Sequence, residues 1–423
     1  MHSRINCLIR RGIVNLAKVK FVCVKQVFAR IPSIPSIFCI GSMLCMLFFA
    51  GQTMANNNPL IFNVDYLKLL KEPVVTFNNI NSLPEDSGVS GAKLAISDSN
   101  STGKFINQKF SLNQFEFNDP SELLKHVKQQ FIDGVFVFVI SGDSKVFKAL
   151  NIWAKDKPVL IFNVSDPTDD MRHNLCLSSV LHTIPSYRMK ADALAQWLVA
   201  KRLSKVLLIA GQNKADKDIA DAFSLAAKRF RLKIIDKKIW DFNTDLRRST
   251  QQEVPLFTQT SRPYDVVFVA DGHKDFAEFI PYNTYLPRPV IGSAGLEALA
   301  WHRVIEQWGA SQLQSRFTRM AARSMNELDF SAYLAVRTLA QAAQQTGSGK
   351  PKDLVTHIHS DAFELAAYKG RKLSYRPWNG QLRMPLALVQ PNAFVSQSPQ
   401  AGMLHPNNEL DTLGFDAPEM RCD

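Results

Sequence analysis

Val135-Phe136-Val137-Phe138-Val139-Ile140 is six apolar residues in a row, set between Asp133-Gly134 and Ser141-Gly142-Asp143-Ser144. Four of the six are β-branched, and apolar and polar residues do not alternate. A strand with one wet face alternates; a strand covered on both faces does not, so the stretch reads as an interior strand of a parallel sheet. The pattern continues outward on both sides. Asp119-Pro120 opens a helix to Phe131, with Asp119 as N-cap and Pro120 at its first position. Before it, Lys109 to Phe117 alternates like a strand. After the run, Asp143 to Lys155 is a helix and Val159-Leu160-Ile161-Phe162 a second buried strand. Towards the N-terminus, Val74-Val75-Thr76-Phe77 is expected as a first strand. Asp86 to Ile96 follows as a helix, in which Gly88 and Gly91 allow close packing.

The rhythm then starts again. Ala191 to Arg202 and Asp216 to Phe230 read as helices, followed by strands at Val206–Ile209 and Leu232–Ile235. Asp265–Val269 is a strand, His273 to Ile280 a short helix, and Pro289–Ile291 a strand. Two successive β-α series imply an α/β chain with two doubly wound parallel sheets. The boundary between them is expected near Leu181–Ser186, where Pro185 interrupts. Gln312 to Arg323 and Asp329 to Gln345 are two further helices, ended by Gly347-Ser348-Gly349. Residues 371–423 contain Pro377, Pro385, Pro391, Pro399, Pro406 and Pro418 and read as an irregular tail returning to the first lobe.

The chain has 423 residues, 46% hydrophobic and 21% charged, with no low-complexity tract or internal repeat. Its net charge of +12 is concentrated at the start: residues 1–55 carry seven basic groups and no acid. Without them, 43 basic residues face 38 acidic ones, too mild and too dispersed a balance for a nucleic-acid surface. A basic stretch ending at Arg30, an apolar run from Ile37 to Ala50 and Thr53-Met54-Ala55 read as an export signal cut near Ala55. The apolar run is shorter than the roughly 20 residues of a bilayer span; a retained anchor is the alternative. The length of the basic region leaves open a translation start near Val27. No later run is long enough to cross a membrane. Four of the six cysteines lie in the part to be removed, leaving Cys176 and Cys422. In an oxidising compartment they are a candidate disulfide; two unpaired thiols are the alternative.

Catalytic signatures are lacking. There is no G-x-S-x-G, no P-loop and no dinucleotide fingerprint. The nine histidines are scattered, and no Cys/His set has zinc spacing. No cofactor, no metal and no enzymatic activity are expected. In open α/β sheets, ligands sit beyond the carboxyl ends of the strands. That rule selects Ser141, Gly142, Asp143, Ser144, Asn163, Ser165 and Asp166 from the first sheet, and Gln212, Asn213, Asp271 and His273 from the second. Each has a plainer role available. Asp143, Ser144 and Asp271 stand where helices begin and can cap them. Asp166 precedes Pro167 and suits a turn. Asn163 and Ser165 can satisfy loop backbone, and Gln212, Asn213 and His273 can be ordinary surface. The cluster Asp166, Asp169, Asp170 has hard-cation chemistry but not the spacing of a calcium loop; a solvated turn pairing with Arg172 is the alternative. Trp301, Trp308 and Trp378 read as core anchors before a cofactor stack.

The order of elements, over residues 73–395, resembles the type I periplasmic binding proteins of the branched-chain amino acid group. Glu85 to Ile96 is similar to that family's first helix, His182-Thr183-Ile184-Pro185-Ser186 to its crossover, and Asp218 to Phe223 to the ligand-side helix of its second lobe. A narrower set resembles the subgroup associated with PQQ-dependent alcohol oxidation. It comprises Trp301-His302, Glu306 to Ala310, Tyr368-Lys369-Gly370, Trp378 to Arg383 and Leu410 to Asp416. The resemblance implies two lobes joined by a multi-strand hinge and a small ligand held between them. It implies a monomeric periplasmic protein serving an ABC importer permease, with the quinone cofactor itself a conceivable ligand. On this frame residues 1–55 are the signal, 56–182 the first lobe and 183–300 the second. Residues 301–370 are helices of the hinge return, and 371–423 the tail. A sensor that presents ligand to a membrane receptor is the rival, separable by which membrane protein it captures. An oxidoreductase or hydrolase on a similar scaffold is a further rival, separable by turnover of an alcohol or aldehyde. Where amino-acid binders carry an aromatic residue followed by glycine, this chain has Ala215 and Asp216. With the acidic cluster near the place where a ligand carboxylate would be held, a neutral or cationic ligand is expected.

Overall fold

The computed structural model describes residues 59–70, 83–241 and 250–422. The expected export signal and the expected strand at Val74–Phe77 lie outside these residues. The first sheet has the order β2-β1-β3-β4-β5, all parallel: β1 Leu60–Leu69, β2 Gln108–Phe117, β3 Val137–Ser141, β4 Leu160–Asn163 and β5 Val180–His182. The decisive apolar run supplies β3 at the centre, where Val137 through Ile140 are fully buried. Between the strands run α1 Val89–Ile106, α2 Pro120–Ile132 and α3 Ser144–Ala154. Asp119 caps α2 through the Ser121 amide, with Pro120 inside its first turn, as read. β1 was not anticipated. It pairs with β2 along ten residues and with β3 along five, although Asp65 sits in its middle, fully buried. One Asp65 oxygen accepts from the Asn113 amide, 2.9 Å away, and His126 lies 3.4 Å from the other without a hydrogen bond.

The short helix α4 Asp170–His173 precedes β5, and α5 Tyr187–Ala200 carries the chain into a second parallel sheet of order β7-β6-β8-β9. Its strands are β6 Lys205–Ala210, β7 Lys233–Ile239, β8 Val266–Ala270 and β9 Val290–Gly292. α6 Lys214–Arg229 and α7 Thr250–Phe257 connect them. The helix expected over His273–Ile280 is only a single 3-10 turn at Ala277–Phe279. The Asp271 carboxylate takes the amides of His273, Phe276 and Ala277 and so folds the segment into a compact loop.

After β10 Glu297–Leu299 the chain returns to the first sheet through α8 Ala310–Ala321 and α9 Glu327–Thr346. α9 lies along α1, and Gly91 makes this approach feasible: a Cβ there would fall 1.8 Å from the Asp329 carbonyl oxygen. α10 Pro351–Ile358 and the short strands β11 Leu365–Ala366, β12 Lys372–Tyr375 and β13 Leu382–Arg383 follow. The tail expected to be irregular is strand-bearing: β14 Leu386–Gln390 pairs antiparallel with both β10 and β15 Ala393–Ser398. Pro385 and Pro391 flank β14 and Pro399 follows β15, so the missing N–H groups fall outside the ladder. These strands pack on α5 rather than on the first sheet, and Ser398 donates to the Ala193 carbonyl there.

The last residues cross back. Gly414 donates its amide to Asp192 on α5, and Arg229 of α6 donates to the Gly414 carbonyl. Phe415 stacks on His173, Arg421 N donates to the His173 carbonyl, and Cys422 is bonded to Cys176. The Cα separation of 5.4 Å suits a bridge. This C-terminal strap therefore touches helices of the second sheet and is covalently tied to the chain before β5. Beneath it lies a buried polar network. Arg172 donates to the Gln381 side chain and to the carbonyls of Thr168, Asp166 and Ile184. Gln381 in turn donates to the carbonyls of His182 and Ile184. Arg376 and Arg383 both hold Asp411, at 2.7 and 2.9 Å. Among the described residues no helix is long and apolar enough to cross a membrane.

Candidate functional site

The loops at the carboxyl ends of the two sheets meet around Tyr187, the first residue of α5. Burial raises its hydroxyl above the ordinary tyrosine value, and the charges of Asp166, Asp218, Asp169 and Asp216 add to the shift. Asp166 and Asp169 follow β4; Asp216 and Asp218 lie in α6. One side chain thus senses both halves of the molecule.

Beside it is a cavity of about 310 Å³, at the low end of the ~300–1,000 Å³ common for small-molecule sites. α5 contributes Tyr187, Lys190, Ala191 and Leu194, α6 contributes Ile219, and the end of β8 contributes Phe268, Asp271 and Gly272. Ser293 after β9 and Glu297 to Leu299 of β10 form another wall. The other side is closed by Leu83 and by Asn326 and Glu327 at the start of α9, a helix of the first-sheet half. Lys190 reaches across to Glu327 at 2.5 Å, so an ion pair joins the two halves at the cavity. The second Glu327 oxygen accepts the Ala300 amide at 2.7 Å. Lys274 pairs with Glu297 at 2.6 Å, and burial pushes the Glu297 carboxyl up.

Of the residues selected by the strand-end rule, Asp271 lines this cavity and the rest do not. The first-sheet set is bonded within itself. Gly142 N donates to Ser165 Oγ, and Ser165 donates back to the Gly142 carbonyl, both at 3.0 Å. Asp143 caps α3 by accepting the Lys145 and Val146 amides, leaving Ser141 and Ser144 half-buried beside it. Asn163 Oδ1 accepts the Ser165 and Asp166 amides, while its Nδ2 donates to the Asp166 carbonyl and to His182 Nδ1. That donor fixes the His182 proton on Nε2, and burial, with Arg172 nearby, holds the ring well below its usual pKa.

The acidic cluster is dispersed among separate partners. Asp166 Oδ1 accepts from Thr168, Asp169 accepts the Arg188 amide, and Asp170 lies 3.5 Å from Lys148. Burial carries the Asp169 carboxyl up to about 6. Arg172 bonds backbone carbonyls and Gln381 rather than these carboxylates. In the second sheet, Gln212, Asn213 and His273 are exposed. Gln212 makes one long bond to the Trp240 carbonyl and Asn213 opens α6.

Sequence reasoning passed over Tyr187, Lys190, Lys274, Ser293, Glu297 and Glu327. Ser293 was reachable by the same strand-end rule applied to β9. Asp216, noted only as a departure from the amino-acid binders, accepts the Asn213 and Gly272 amides at 2.9 and 2.7 Å and so ties the two second-sheet loops together. A Cβ on Gly272 would stand 2.5 Å from Ala215 Cβ. The small residue where those binders carry an aromatic one lets these loops close on each other. The tryptophans divide. Trp301 is buried against Phe330, Trp378 donates to the Phe415 carbonyl under the strap, and Trp308 is 42% exposed.

Residues 81–281 match the family model described as periplasmic binding protein. No curated protein matches the chain. Solved structures do. A branched-chain amino acid ABC transporter periplasmic ligand-binding protein from Burkholderia xenovorans superposes with a TM-score of 0.66 at 16% identity. The match covers 85% of this chain and 99% of that one. A leucine-, isoleucine-, valine-, threonine- and alanine-binding protein from Brucella ovis, in a closed conformation, gives 0.61 at 15% identity, over 80% and 92%. A solute-binding protein of an ABC transporter from R. palustris, in complex with benzoate, gives 0.58 at 12% identity, over 79% and 95%.

Proposed function

We propose that this chain, whose α/β fold is that of the type I periplasmic binding proteins, captures a small molecule between its two halves and delivers it to an ABC importer. The observation that carries this reading is the cavity between α5, β8, β9 and β10 on one side and the start of α9 on the other, bridged by Lys190 and Glu327. A ligand touching both walls favours the closed arrangement over the open one by its differential contacts, and the importer reads the closed surface. The lobes are taken as residues 56–182 and 183–300, hinged at the crossovers near Ile184, Ala300 and Pro385. The start of the chain reads as an export signal, which places the mature protein in the periplasm as a monomer. The narrower resemblance links the protein to PQQ-dependent alcohol catabolism without naming its ligand. No step in this cycle makes or breaks a covalent bond, so the role is not enzymatic.

The strand-end residues of the first sheet, Ser141 to Ser144 and Asn163 to Asp166, are proposed to set the position of the opposing wall, and Asp271 to contact the ligand directly. The test is native mass spectrometry of protein drawn from the periplasm, joined to small-angle scattering with and without the molecule found. A retained small molecule and a smaller radius of gyration on adding it back support capture by closure. An empty protein whose shape answers to no solute refutes it. At ~100 times its dissociation constant a true ligand adds about 2.7 kcal/mol of stability.

A further inference from the structure

The charged groups around the cavity are already committed to one another. Lys190 is held by Glu327, and Lys274 by Glu297. The Asp271 carboxylate is filled by three backbone amides. Among the described residues of the wall, no cation is left to receive a ligand carboxylate, and no carboxylate is left bare for a ligand ammonium.

What remains are hydroxyls. Tyr187 makes no side-chain hydrogen bond to any described residue. Ser293 Oγ accepts the Asp271 amide at 2.9 Å, and its own proton has no acceptor among the described residues. Asn326, also on the wall, is held by Ser87 and by the Asp329 amide, and Leu194, Ile219, Phe268 and Leu299 make the remainder apolar. An ion entering such a wall loses its water and either goes unpaired or breaks a buried pair. A hydroxyl or carbonyl group loses far less and meets two matching partners.

Resting on the capture reading above, we infer that the cavity takes an uncharged, partly apolar molecule. Its hydroxyl or carbonyl oxygen meets Tyr187 and Ser293, and free carboxylates and amines are turned away. This sets the chain apart from the relative that holds benzoate, whose ligand is a carboxylate. The neutral analogues of that ligand are therefore the informative probes.

The experiment measures binding of benzyl alcohol, benzaldehyde, benzoate, benzylamine and leucine to the purified mature protein by calorimetry. The expected order places benzyl alcohol or benzaldehyde at least about tenfold tighter than the three charged probes, the worth of one well-made hydrogen bond. Tyr187→Phe is expected to weaken the neutral probes about tenfold. Glu297→Gln frees Lys274, so benzoate should gain about tenfold. Equal or tighter binding of benzoate, benzylamine or leucine to the unaltered protein overturns the inference and leaves capture standing. So does a Glu297→Gln protein that folds normally by circular dichroism and gains nothing for benzoate. Silence across the panel, with a charged molecule recovered from the periplasmic protein, overturns the inference too. Silence with an empty protein instead removes the capture reading, and this one with it.

Discussion

Around the C-terminal strap, Arg376, Asp411 and Asp192 are buried and bonded on every side. Around the cavity, Lys190, Glu327, Lys274 and Glu297 pair just as closely but keep one flank open to empty space. Arg376 spends its guanidinium on Asp411 and on the carbonyls of Leu410, Leu413 and Phe415. Asp192 takes Arg188, Arg229 and the Gly414 amide. A charge saturated in this way is expensive to disturb, because removing one partner strands the other in a dry interior. A cavity pair loses a partner to solvent or to a ligand. The strap is thus the more tightly bonded region, and the cavity the one whose ion pairs are more easily disturbed.

The largest effect expected from this contrast is at Asp411. Asp411→Ala leaves Arg376 and Arg383 facing each other without a counter-ion and should cost about 3–5 kcal/mol, read from urea denaturation. A loss under 1 kcal/mol would place the strap on the same footing as the cleft. Next is the covalent tie. Cys422→Ser opens a loop closed over a sequence separation of 246 and should lower the unfolding free energy by about 2–4 kcal/mol. If strap contacts rather than the bridge hold the chain end, dithiothreitol will leave the melting temperature unchanged.

Much of this could be read in the sequence, and some could not, for identifiable reasons. The strands β3, β4, β6 and β8 announce themselves because their central residues are buried and apolar on both faces, with Ser141, Asn163 and Lys205 only at their ends. β1 does not, because Asn63, Asp65 and Lys68 interrupt it; Asp65 is tolerated only since Asn113 and His126, 48 and 61 positions further on, come back to meet it. The strand-end rule selected Asp271, which lines the cavity, and ten residues that do not. It could not find Lys190 and Glu327, which are 137 residues apart and share no local pattern. The motifs behind the narrower resemblance settle mostly into the buried polar network and the strap. Trp301 and Lys369 are buried at the crossover, Gln381 bonds Arg172, and Asp411 is the strap's anchor. They report on how the halves are joined more than on what lies between them. The Cys176–Cys422 bridge was legible because only two cysteines remained to form it.

Lys369 stands where the two regions touch. It is buried, donates to the Ala300 carbonyl and lies over the Phe330 ring, while Glu327 holds the amide of the same Ala300. Burial lowers its pKa to about 7, against the partial opposition of Glu327. The unfolded chain keeps this proton up to the ordinary lysine value of 10.5. Between those two values the unfolded state binds more protons, so stability should rise with pH, by at most about 1.4 kcal/mol per unit for one group. Below pH 7 both states are protonated and the contribution is flat. Lys369→Met should remove the rise seen in melts between pH 7 and 9. A flat profile that Lys369→Met leaves unchanged would show the lysine charged in the fold throughout.

The smallest effect is the one that sharpens the contrast most. Glu297→Gln removes a negative charge from a pair whose lysine is about a third exposed at its side chain. Lys274 then turns to solvent or to the cavity rather than being stranded. The unfolding free energy should change by no more than about 1 kcal/mol, as for partly exposed pairs in general. Set beside Asp411→Ala in the same urea series, the two carboxylates should differ by several-fold in cost although both make short ionic contacts. Equal costs would mean that the cavity wall is as closed as the strap, with no room in it for a ligand to rearrange anything.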